Sequence, residues 1–422
     1  MSTSSETTFS IAGRGLKLDT KDDILKHIQP LQDSSKVTHI DLSGNTYGVE
    51  ASATLAEVLR TKSTLELADL HDIFTSRLLS EIPPALTSLL TALLECPKLH
   101  TIDLSDNAFG LNTKDPLVDF LSKHVPLRHL ILNNNGMGPI AGTSIAQALV
   151  TLAEKKEAAR KEGKDVPELE SVVCGRNRLE NGSMAAWAQA YSAHASGIRS
   201  VKMTQNGIRP EGTSLLVSAG LAKCKNLEVF DLQDNTMSFP GSVALANALP
   251  GWSKLKELGV GDDYLGARGS VKVFEMLAAG KNIGLEVLRL EFNNITPVGL
   301  KSLLKAAQTG LPSLRRVELD GNKFEEEDPS LETLSELLSE RKDKHGQDSD
   351  PEDHWGIGEL DELEGEDSDE EDEDVAEELD EEAAREAVLK EADENEDATV
   401  SEKKDEEVDG LAEKLEKTEI KA

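Results

Sequence analysis

Residues 99–109 read LHTIDLSDNAF and residues 127–137 read LRHLILNNNGM. Superposed, they share one pattern, LxxLxLxxNxL. It returns as LEVFDLQDNTM (227–237), LEVLRLEFNNI (285–295) and LRRVELDGNKF (314–324), with looser copies at 37–47, 169–179, 198–208 and 255–265. The asparagine place falls at 45, 73, 107, 135, 177, 206, 235, 263, 293 and 322, most often 28 to 30 residues apart. Ten aligned copies at that period predict a stack of supersecondary units rather than a globular α/β domain. The LxL core predicts a short strand with alternate residues facing in. The asparagine can bond backbone groups of its turn and of a neighbouring turn, making a ladder. Apolar residues then recur at helical spacing, as in GTSIAQALVTLA (142–153). No copy buries its own apolar face, so stacked copies must share one core.

The expected fold is therefore an α/β leucine-rich repeat horseshoe of the wide, ribonuclease-inhibitor-like kind, with a curved parallel sheet on its concave side. FSIAGRGLKL (9–18) supplies a degenerate first strand. In DPSLETLSELLSERKDK the sequence predicts a closing helix, with Asp328 as its cap, Pro329 first inside and Gly346 stopping it. The expected domains are 1–346, repeats and caps, and 347–422, a disordered acidic tail. In the long gap between Asn135 and Asn177, EKKEAARKEGKDVPE (154–168) predicts an enlarged helix and an exposed charged loop.

Acidic residues outnumber basic ones 79 to 45 in the 422-residue chain, a net charge of −34. Residues 359–422 hold 31 acidic residues against 7 basic. Such a chain repels nucleic acid and favours a basic protein partner. Its three cysteines form no CxxC pair and predict reduced thiols. MSTSSETTFSIAG has no basic start or apolar run, so no signal peptide is expected, and no apolar stretch spans a membrane. GxxxxGK[ST], HExxH and GxSxG are absent, and the histidines are dispersed. Asp262-Asp263 reads as a substituted ladder position. The chain predicts a monomeric scaffold for gripping a protein, with no catalytic machinery or cofactor of its own.

Function on such a scaffold sits in strand-end loops along one rim, so departures from the repeat carry the information. The largest is HDIFTSR (71–77), where Ile73 replaces the asparagine. Phe74 is expected to fill the core and Arg77 to project from the rim, the alternative being an ion pair with Asp72 or Asp106. In Asn133-Asn134-Asn135, Asn135 belongs to the ladder and Asn134 faces the rim. Arg176 and Arg178 flank ladder residue Asn177.

With these breaks in view, the sequence resembles the Ran GTPase-activating protein family, close to its fungal members. The matching stretches are LSGNTYG (42–48), DIFTSRLLSEIPPAL (72–86), CPKLHTIDLSDNAFG (96–110), NNGMGP (134–139), CGRNRLENGSM (174–184) and QNGIRPEG (205–212). They run through roughly residues 8–345. Ser76 departs from an expected glycine. The resemblance implies an activator of GTP hydrolysis on GTP-bound Ran, with the Mg²⁺ and nucleotide held by Ran and a Ran-binding protein as an optional third member. It implies that Asn134 fixes Ran's own glutamine against the attacking water, with no arginine finger, and that Arg77 contacts Ran. Asp72, Arg176 and Arg178 are the further candidate contacts. It also implies a role in nucleocytoplasmic transport and a cytoplasmic location, with perinuclear or shuttling pools as alternatives. The rival expectation is a non-catalytic acidic leucine-rich repeat binder of the histone-chaperone or phosphatase-inhibitor type.

Overall fold

A computed structural model describes residues 7–346 and 354–363. Its strands are β1 (Thr8–Ser10), β2 (Lys17–Leu18), β3 (His39–Asp41), β4 (Thr46–Tyr47), β5 (Leu67–Asp69), β6 (Thr101–Asp103), β7 (His129–Ile131), β8 (Ser171–Val173), β9 (Ser200–Lys202), β10 (Val229–Asp231), β11 (Glu257–Gly259), β12 (Val287–Arg289), β13 (Arg316–Glu318) and β14 (Gly356–Ile357). Twelve form one parallel sheet, in the order β1, β3, then β5 to β14; β2 and β4 pair beside it. A helical segment separates each repeat strand from the next, which is the leucine-rich repeat arrangement. The repeat strands are three residues long, and each sends its central residue into the shared core. That central residue is Ile40, Ala68, Ile102, Leu130, Val172, Val201, Phe230, Leu258, Leu288 or Val317, and each is fully buried.

The ladder asparagines join the repeats. Asn135 Nδ2 donates to the carbonyls of Leu132 in its own repeat, 3.1 Å, and of Leu104 in the preceding one, 3.0 Å. Its Oδ1 accepts the Asn107 amide, and Asn177 Oδ1 accepts the Asn135 amide, both at 2.9 Å. Asn206, Asn235, Asn293 and Asn322 repeat the pattern. A second set of ties lies just ahead of the strands, where Arg128, Glu170, Arg199, Glu228, Lys256, Glu286 and Arg315 alternate in sign. Arg128–Glu170, Arg199–Glu228 and Lys256–Glu228 lie at 2.8 Å and Arg315–Glu286 at 3.2 Å. Half-exposed pairs of this kind contribute about 0–1 kcal/mol each.

The array is closed as expected at its start and at the helix Pro329–His345, capped by Asp328 and ended by Gly346. The expected boundary at 346 falls too early. Strand β14 pairs with β13 beyond it, and Ile357, Leu360 and Leu363 pack on the core. Apolar residues at 357, 360 and 363 cover the last strand's edge before the purely acidic run begins; the rest of the expected tail lies outside the described residues. The insertion also differs in part. The helix Gly138–Lys161 is enlarged, but Lys156 is buried, its Nζ donating to the carbonyls of Val125, Leu127 and Pro167 at 2.6, 2.7 and 2.8 Å. The following loop is thereby stapled to the preceding repeat. Cys96, Cys174 and Cys224 are buried free thiols, which burial pushes up to about 11, 12 and 12. Among the described residues no helix is long and apolar enough to cross a membrane.

Asp263 occupies the ladder position, as its place in the repeat predicts, and is fully buried. Neither carboxyl oxygen has a well-formed hydrogen bond. Burial, with Asp262, Asp231 and Asp234 nearby, raises its pKa well above the carboxylate range. The folded chain therefore holds a proton there that the unfolded chain releases, and stability falls as pH rises from the ordinary carboxylate range through the folded value. Asp263→Asn supplies the missing donor toward the Leu232 and Val260 carbonyls. It is expected to stabilise the fold by about 1–3 kcal/mol, more at pH 8 than at pH 5, in thermal melts across that range. An equal or negative shift at both pH values would contradict the protonated ladder.

Candidate functional site

The strand-end turns are built alike. Asn107, Asn135 and Asn177 each sit between two residues of left-handed backbone: Asp106 and Ala108, Asn134 and Gly136, and Arg176 and Arg178, all with φ between 50° and 60°. That geometry aims the amide of the first flanking residue across to the next repeat. Asp106 donates to the Asn133 carbonyl, Asn134 to Gly175 and Arg176 to Thr204, each at 2.9 Å. The backbone is thus committed while the side chain is turned out. Asn134, Asp106, Arg176 and Arg178 are exposed and form part of one rim. Asparagine and aspartate tolerate this conformation best among residues with side chains.

Asn134 is tied by a single side-chain contact: its Nδ2 donates to Asp106 Oδ1 at 2.7 Å. Asn133 is structural, its Oδ1 accepting the Gly175 amide at 2.7 Å. Asp72 takes the left-handed place in its turn and accepts the Thr75 hydroxyl, which closes the loop locally. The ladder survives the loss of an asparagine at 73 because the Ile73 amide still donates to Asn107 Oδ1 at 2.9 Å. Ile73 and Phe74 are buried, and Phe74 lies 6.4 Å from the Phe109 ring. Ser76, with φ 65°, stands where glycine would be unstrained.

Arg77 does not project from the rim. Its side chain is 5% exposed and folds back onto the start of the array. Nε donates to Thr46 Oγ1 at 2.8 Å, Nη2 to the Thr46 carbonyl at 2.9 Å and the Leu18 carbonyl at 3.3 Å, and Nη1 to Asp19. Glu81 lies 3.9 Å from Nη1. The partners differ from the neighbours Asp72 and Asp106 that sequence proximity suggested. Gly48 makes the room, since a Cβ there would meet Nη1 at 3.1 Å. The hydrogen bond from Arg77 holds the Asp19 carboxyl below its usual range.

Comparison with known proteins places these features. A leucine-rich repeat family model matches residues 281–304. The Ran GTPase-activating protein 1 of Saccharomyces cerevisiae is 44% identical over 336 residues, 78% of this chain and 81% of that protein. The chain belongs to the Ran GTPase-activating protein family. The Drosophila melanogaster Ran GTPase-activating protein is 32% identical over 79% of this chain and 55% of its own length, and the Caenorhabditis elegans Ran GTPase-activating protein 2 is 39% identical over 49% and 21%.

Two features of this family member escaped the sequence. Leu78 and Leu79, beside Arg77, are 68% and 62% exposed, and Leu111 and Ile140 in the next two strand-end segments are 46% and 64% exposed. Each falls at or just before the start of its repeat's helix, where the repeat pattern gives no sign of their exposure. On the sheet, Asp69, His71 and Asp103 bring their side chains together, with His71 Nδ1 2.7 Å from Asp69 Oδ1. Burial opposes a charged imidazole there, but the bond and charge of Asp69 prevail and raise it.

Arg77 is the brace of the 72–81 loop. Arg77→Ala removes four hydrogen bonds, to the Thr46 hydroxyl, the Thr46 and Leu18 carbonyls and the Asp19 carboxyl, and is expected to cost about 1–3 kcal/mol. Limited proteolysis should then cut first between Phe74 and Ser80. An unchanged melting temperature with an unchanged digestion pattern would remove this role.

Proposed function

We propose that this protein accelerates GTP hydrolysis on GTP-bound Ran, and that Asn134 is the residue it lends to the reaction. Family membership supports the activity. The mechanism is supported by one contrast: Asn134 is exposed on a rigid turn, whereas the guanidinium of Arg77 is consumed inside the fold. An arginine finger must be free to reach a phosphate, and Arg77 would have to break four hydrogen bonds to do so.

Phosphoryl transfer in small GTPases needs Mg²⁺, a phosphate-binding loop and a glutamine that orients the attacking water. All of these belong to Ran, so the activator is not itself an enzyme and needs no cofactor. Its contribution is preorganisation: holding the glutamine in its productive rotamer removes a conformational search from the transition state. Asp72, Arg176 and Arg178 are proposed contacts to Ran. Arg77 serves indirectly, by bracing the 72–81 loop on which Leu78 and Leu79 stand. The protein acts as a monomer, with a Ran-binding protein able to join the complex. A cytoplasmic activator of this kind would maintain the Ran gradient that drives nucleocytoplasmic transport.

The test is hydrolysis by GTP-loaded Ran with catalytic amounts of this chain. Multiple turnovers of Ran per activator are expected, and no acceleration at any concentration would overturn the activity. Asn134→Ala should lower the saturated rate about 10²–10³-fold while nearly preserving affinity and melting temperature. A wild-type saturated rate would remove Asn134 from the mechanism.

A further inference from the structure

We infer that Asp106 is a positioning residue for Asn134, setting which end of its amide meets the partner; this rests on the role proposed for Asn134. An asparagine amide has a donor end and an acceptor end of nearly equal shape, and on an open rim both rotamers would be populated. Asp106 removes that freedom. Its carboxylate can only accept, so the atom that faces it 2.7 Å away must be Nδ2. The amide oxygen then points away from Asp106, and no described group claims it.

The two loops are held together by further hydrogen bonds besides the ladder bond from the Asn107 amide to Asn135 Oδ1. The Asp106 amide donates to the Asn133 carbonyl at 2.9 Å, the Asn133 amide to Ser105 Oγ at 3.1 Å, and the Gly110 amide to the Asn135 carbonyl at 3.0 Å. Both Asp106 and Asn134 occupy the same left-handed place in successive turns, φ 59° and 52°. Their Cβ atoms therefore emerge side by side at the sheet spacing of about 4.8 Å. The pair is exposed, but its geometry comes from the ladder beneath it and not from the side chains alone.

The chemical consequence is specific. With Nδ2 engaged, Asn134 offers the partner a carbonyl oxygen. A glutamine docked against it must present its own side-chain NH₂, which leaves that glutamine's carbonyl oxygen free to accept a proton of the attacking water. The reverse orientation would hold the glutamine by its oxygen and present an NH₂ to the water. Asp106 thus selects the amide polarity that leaves an acceptor for the nucleophile, without touching Ran, nucleotide or water itself.

The experiment is a double-mutant cycle on the full chain, reading saturated hydrolysis rate, Ran affinity and melting temperature. Asp106→Ala should lower the saturated rate about tenfold or more, the effect of losing one charge-assisted hydrogen bond, with affinity within about threefold. In the Asn134→Ala background the same change should cost almost nothing. Asp106→Asn, whose amide oxygen can still accept, should recover part of the rate and guards against a folding defect in the alanine variant. The inference is overturned if Asp106→Ala keeps the full rate, if it costs as much without Asn134 as with it, or if the loss appears mainly in affinity, which would make Asp106 a direct contact. If Asn134→Ala alone keeps the full rate, the role proposed for Asn134 fails first and this inference falls with it. A loss confined to Asn134→Ala, with Asp106→Ala silent, leaves that role standing and removes only Asp106.

Discussion

The carboxamide of each ladder asparagine meets three backbone demands at once. Its nitrogen satisfies carbonyls in two repeats and its oxygen an amide in a neighbouring one, so a single buried side chain fixes both a turn and the stacking of that turn. A three-residue strand cannot register itself against its neighbours, because it makes too few backbone bonds. The ladder does this for it. The left-handed residue just before each ladder asparagine follows, since the chain must enter the buried position sharply. The exposed rim side chains inherit their directions from those turns. Asp263 shows the limit of substitution: a carboxyl of the same shape fills the place without the amide's hydrogen bonds, and burial there pushes its pKa up.

Much of this was legible in the sequence. The period, the asparagine places, the cap at Asp328 and the burial of Phe74 follow from residue type and spacing, which stacked repeats translate almost directly into position. What was missed depends on distances that spacing does not encode. Arg77 finds Asp19 and Thr46, 58 and 31 residues back, through the space beside Gly48. Lys156 is buried because the insertion folds back over the preceding repeat, and a charged run gives no sign of that. Strand β14 is short and lies next to an acidic run, so composition hid it. The Asp106–Asn134 contact was accessible in principle, because the two residues hold equivalent places 28 residues apart. Reading down equivalent positions as physical neighbours, rather than along each copy, would have found it.

The break at HDIFTSR has a structural meaning that differs from a simple surrender of ladder for contact. The backbone connection at Ile73 is retained, and the side chain given up is replaced by core. What is gained is a loop long enough to set two leucines in solvent and held by an arginine that reaches back to the start of the array. Rigidity at the rim is therefore borrowed from the N-terminal cap, and damage to the first turns should be felt at the loop.

A solenoid of this kind also imposes a coarse ruler on anything it recognises. Side chains at the left-handed places recur once per repeat, at the interval of neighbouring strands, and no small adjustment of the backbone can slide one along the row. A repeat gained or lost between the 72–81 loop and Asn134 would leave every local turn intact yet displace one from the other by a whole strand interval. Recognition along this rim is in that sense quantised: a partner's surface must match it in whole steps, and variation is confined to which side chain occupies each step.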